Sequence, residues 1–136
     1  MPIVVTLLFV VLLVSLGALG TKYSHYFEDG YGVTFEHDGT SHVVEARIRC
    51  YVQHKSPYTY QVSLPVEGGD GEDGCSRYYY LTDEGVKRLE NAKEHVKEVC
   101  DLTLPEKAFH EMFFFTDFMV TNLGYSTSIL MERSMQ

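Results

Sequence analysis

The residues most able to do chemistry in this chain form incomplete sets. His110-Glu111 opens like H-E-x-x-H, where two imidazoles one helical turn apart clamp zinc and the glutamate acts as base. Phe114 stands where the second histidine is needed, so the clamp is missing. His37 and His42 flank Asp38-Gly39. Two imidazoles can hold a metal or titrate near neutral pH, yet the pattern fixes no third ligand. The run from Gly68 to Cys75, GGDGEDGC, matches one copy of a calcium-binding nonapeptide. That pattern holds ions only between stacked turns. The run reads as a flexible solvated loop, with a calcium loosely bound on Asp70, Glu72 and Asp73 as the lesser alternative, since a hard cation takes several oxygens. Gly124-Tyr125-Ser126-Thr127-Ser128 lacks the last glycine of a nucleophile elbow. We therefore expect no catalytic residue, no cofactor and no resident metal.

Tyr78, Tyr79 and Tyr80 are more informative. On a strand, Tyr79 faces one side and Tyr78 and Tyr80 the other, so at least one ring should meet solvent. Tyrosine supplies contact area and a hydroxyl together, which suits a binding surface. We take these three as the candidate surface.

Residues 1–20 read as a signal peptide: an apolar, charge-free run ends in Ala18-Leu19-Gly20, with Lys22 close behind. The run is short of the roughly 20 residues that span a bilayer. The expectation is a secreted domain, residues 21–136, that no longer touches a membrane once the signal is removed. All charges lie in that part, and the net charge is −8. Such a surface repels phosphate backbones, which argues against nucleic acid.

The elements that must position these residues follow from periodicity. Residues 21–30 show no clean period and read as an arm. Tyr31, Val33, Phe35 and His37 alternate with polar neighbours up to Asp38-Gly39, a two-residue turn signal. Val44, Ala46, Ile48, Cys50 and Val52 alternate after it. That turn pairs Phe35 with His42 and Val33 with Val44, placing both apolar sets on one face. A third strand runs from Tyr58 to Leu64 and stops at Pro65, residues 67–74 form an acidic loop, and Tyr78–Leu81 is a fourth strand. Thr82 caps a helix over 83–99. Pro105 opens a short helix through Met112, and Met112–Val120 is one buried strand. Asn122-Leu123-Gly124 turns into a last strand over 125–131.

The order predicts an α+β fold: an antiparallel meander, one main helix on its apolar face and a C-terminal hairpin completing the sheet. The alternative is a small β-barrel with a flanking helix. Running strand and helix lengths up and down the meander brings Cys100 back to Cys75. The expected disulfide is Cys75–Cys100, with Cys50 a buried free thiol and Cys50–Cys100 the runner-up. Function is then expected to be that of a secreted, non-enzymatic binding module, an effector or inhibitor acting on an extracellular protein partner. The alternatives are a carrier of a small apolar ligand, with 112–120 lining its cavity, and a secreted hydrolase.

Overall fold

Alternation of apolar and polar residues runs through most strands of this chain, and the strands close on themselves. The computed structural model describes residues 20–28, 30–39, 41–51, 57–71, 76–123 and 128–133. Residues 1–19 of the expected signal peptide, the 52–56 connection, residues 72–75 with Cys75, and residues 124–127, where the last turn was expected, lie outside the described residues. Eight strands follow in order: β1 Thr21–Tyr26, β2 Tyr31–His37, β3 Val43–Tyr51, β4 Pro57–Asp70, β5 Arg77–Leu81, β6 Ala108–Phe114, β7 Phe118–Leu123 and β8 Ser128–Arg133. One helix, α1 (Asp83–Cys100), lies between β5 and β6. Each strand pairs antiparallel with the next, and β1 pairs with β8. The result is a closed meander barrel with one helix, mainly β in content.

Closure rests on β1, which reads as an arm because only Tyr23 in it is buried. Pairing on both sides makes it a strand: six register pairs to β2, and Tyr23↔Arg133 and Ser24↔Glu132 to β8.

The β2–β3 hairpin keeps the expected faces but not the expected turn. Its register is Phe35↔Ala46 and Val33↔Ile48, not Val33↔Val44. The shift is an even number of residues, so inward residues stay inward. The wider loop is built by the side chains beside it. His37 Nδ1 accepts the Gly39 N–H at 3.1 Å, so Nε2 carries the proton and donates to the Ser41 carbonyl at 2.8 Å. The Asp38 carboxylate accepts the Ser41 N–H at 2.7 Å.

β4 does not stop at Pro65. The strand pairs with β3 through Pro65 and with β5 from Val66 onward, so the residue without an N–H falls where partners change. Glu67–Asp70, expected in a loop, therefore belongs to β4. Gly68 allows this: its φ is +132°, and a Cβ there would run into the Tyr78 carbonyl.

The eight strands enclose an interior filled by side chains, as expected at this strand number. Val33, Phe35, Ile48, Leu64, Met112, Met119 and Met131 are at most 1% exposed.

α1 runs back along β4 on its inward-facing side. Thr82 Oγ1 accepts the Gly85 N–H at 3.1 Å and caps the helix. Arg88 then donates to the Ser63 carbonyl, and His95 meets Tyr58 and Tyr60. Leu89, Ala92 and Val96 are buried on this face. The helix ends at Cys100, which is bonded to Cys50.

This corrects the expected Cys75–Cys100 pairing and the free thiol at Cys50. A helix descending beside β5 would have brought Cys100 back to Cys75. The helix instead follows β4, whose Tyr58 lies opposite Cys50 in register. Cys50 and Cys100 therefore meet, with Cα atoms 6.2 Å apart.

No helix opens at Pro105. Residues 101–107 return to β6 without regular structure, held by the buried Lys93, whose ammonium donates to the Pro105 and Glu106 carbonyls at 3.0 and 2.9 Å. Met112–Val120 is a hairpin, β6 and β7 around 115–117, and not one buried strand. Its residues alternate, so Phe113 points outward and is 40% exposed. A bulge between Ala108 and Met112 turns Phe109 into the core at φ +69°. Thr121 and Asn122 satisfy its backbone, Thr121 donating to the Glu111 carbonyl and Asn122 accepting its N–H. Asn122 and Leu123 accordingly lie in β7, not in a turn.

Candidate functional site

Two surface features concentrate side chains able to recognise a ligand. The first is an outward row on β5 and β6. Tyr78 lies opposite Phe113 with ring centroids 4.6 Å apart, and Tyr80 is 5.9 Å from Tyr78. Tyr80 is 42% exposed. Carboxylates rim the row: Tyr78 donates to Glu111 at 3.0 Å and Tyr80 to Glu67 at 3.1 Å. Both phenols are held protonated above their usual range. The hydrogen bond to Glu67 is the main cause at Tyr80; at Tyr78 burial leads and the Glu111 bond adds to it. The surface is aromatic, with hydroxyls already committed to acidic neighbours.

Tyr79 faces the other way. It is buried, its ring lies 4.6 Å from His37, and burial raises its pKa. The candidate surface of three consecutive tyrosines thus reduces to Tyr78 and Tyr80, joined by Phe113 from the next strand. Strand alternation predicts that Tyr79 is separated from Tyr78 and Tyr80, but not which of the two sides faces the core. The contribution of Phe113 needed the β5–β6 register, and no local signal in a run of phenylalanines supplies that.

The second feature is a cleft of about 280 Å³ at the barrel end where β1 begins and β8 ends. The β2–β3 loop, the start of β5, the β6–β7 turn and the end of β8 bring Gly39, Arg77, Thr116 and Arg133 to it. Tyr23, Phe114 and Phe115 supply apolar wall. Arg77 pairs with Asp70 at 3.0 Å and donates to the Gly39 carbonyl. Tyr23 donates to the Phe115 carbonyl at 2.8 Å. Burial raises the Tyr23 pKa; the positive charges of Arg133 and Arg77 oppose the rise, and Asp117 adds to it.

The other sequence candidates stay apart. His37 is buried with both ring nitrogens engaged, while His42 is exposed. Asp70 is committed to Arg77, and Glu72 and Asp73 lie outside the described residues. Among the described residues no cluster of three His, Cys, Asp or Glu is placed to hold a metal. His110 is half-buried, 3.6 Å from Glu90 and close to Lys93. Burial first, and then the Lys93 charge, hold its pKa below 6.5 despite Glu90.

Comparison with protein-family models, curated proteins and solved structures finds no match for this chain. The class that the fold defines is a closed eight-stranded antiparallel barrel with a helix packed along β4, braced by one disulfide. A disulfide fits an oxidising compartment. Among the described residues no helix is long and apolar enough to cross a membrane.

Proposed function

We propose that this chain is an extracellular, non-enzymatic binding module that acts by contact with another protein, as an effector or inhibitor. The observation that carries the reading is Phe113, a large apolar ring 40% exposed near the end of β6, packed on Tyr78, which in turn meets Tyr80. Exposed aromatic clusters of this kind are the anchors of protein interfaces. The rim of Glu67 and Glu111, on a chain of net charge −8, suits a partner presenting lysine or arginine around an apolar knob. Phe35, Phe109, Met112, Met119 and Met131 occupy the volume that a carrier of a small apolar ligand would leave open, which favours the binding module over the carrier.

The test compares the protein with Phe113→Glu and Tyr80→Glu, each first shown to keep its melting temperature. Immobilised protein is exposed to the extracellular fluid of its source, and captured chains are identified by mass spectrometry. The reading expects a basic-surfaced protein retained by the parent and lost by both variants. Identical capture by parent and variants overturns it.

A further inference from the structure

We propose that the cleft at the β1/β8 end of the barrel is a binding site for a small organic anion, an oxyanion carried on a compact apolar body, with Arg133 as its principal ligand. Two guanidiniums, from β5 and β8, line this cleft together with one carboxylate, Asp38, which accepts the Ser41 N–H. Their situations differ. Arg77 already serves the fold through Asp70 and Gly39. Arg133 is exposed, and among the described residues its side chain has no ion-pair or hydrogen-bond partner. A planar guanidinium without a partner presents paired donors that match a carboxylate, sulfate or phosphate. The Thr21 and Thr116 side chains lie on the same lining and add hydroxyls.

The apolar body follows from the walls. Tyr23 and Phe114 are tilted against each other with centroids 5.5 Å apart, and Phe114 stacks on His37 at 5.4 Å. His37 is held in one tautomer by Gly39 and Ser41, so this wall is rigid. The volume of about 280 Å³ lies at the small end of ligand sites, and barrel mouths are a recurrent place for them. A single ring bearing one anionic group is the size that fits. This site is separate from the outward Tyr78–Phe113 row, so either can fail without the other.

The probes are benzoate, phenyl sulfate and phenyl phosphate, with benzamide as the uncharged analogue and inorganic phosphate as the bare anion. Titrations are followed by amide chemical shifts. The expected result is saturable shifts at Gly39, Phe115, Thr116 and Arg133 with at least one of the ring-bearing anions, weakening as salt is added. The best anion identifies the oxyanion class. Arg133→Gln should weaken binding by about tenfold or more, the usual effect of losing a charge-assisted hydrogen bond. It should leave the melting temperature unchanged, and Tyr80→Glu should leave the affinity unchanged. Benzamide binding as tightly as benzoate overturns the proposal. So does an Arg133→Gln variant that keeps the parent affinity, inorganic phosphate binding as tightly as phenyl phosphate, or the absence of shifts with every anion.

Discussion

Lys93 shows how much one buried charged side chain carries. Its ammonium makes three bonds, to Glu90, Pro105 and Glu106, and fastens the return segment to α1. Burial lowers its pKa, an effect that Glu90 opposes. Lys93→Met keeps the stem but strands two carbonyls, and should cost about 1–3 kcal/mol in denaturant titration. His110 beside it makes a pH prediction with a definite sign. Its folded pKa lies below the unfolded 6.5, so the neutral ring is the form the fold prefers. The stabilisation is fully present above 6.5 and falls away as pH drops toward the folded value, because the unfolded chain then binds the proton first. Urea midpoints measured from pH 8 downward should decline through that window for the parent. His110→Gln should remove this part of the decline; an unchanged slope would place the titration elsewhere.

Among elements, the β6–β7 hairpin separates the readings most sharply. Phe35 is 1% exposed and packs on Phe109 at 5.5 Å, whereas Phe113 faces solvent. Phe35→Ala should cost about 3–5 kcal/mol, and Phe113→Ala well under half of that, by urea unfolding. Equal losses would contradict the observed faces. β2 to β5 and α1 were legible in the sequence because their alternation or helical spacing is uninterrupted and Thr82 marks a cap. β1 was not legible, because one buried tyrosine among polar neighbours makes no period. Nor was the end of β4, since proline and glycine read as punctuation until a change of partner and a positive φ explain them. The cleft was illegible for a different reason: Arg77 and Arg133 lie 56 residues apart and meet only through barrel closure.

For the whole molecule, the disulfide is the clearest check on topology. Three cysteines with Cys50 joined to Cys100 leave Cys75 without a partner in its own chain. Non-reducing peptide maps, after alkylation under denaturing conditions, should show the Cys50–Cys100 cross-link and label on Cys75 alone; label on Cys50 would refute the packing of α1 on β3 and β4. Reduction opens a loop with a separation of 50 residues and should lower stability by about 2–4 kcal/mol, read from the shift of the urea midpoint.

The seam between β1 and β8 joins the two ends of the folded domain through two register pairs. A chain delivered from its N-terminus presents Tyr23 long before Arg133 exists to meet it. Cys50 and Cys100 can find each other while β8 is still unmade, but the barrel cannot close. Until the last six-residue strand arrives, β1 and β7 each have an unpaired edge, and Met131 is missing from the interior. The final step of folding is therefore a ring closure that spans the whole domain, and a product released early would keep its cross-link while remaining free to pair edge to edge with its neighbours.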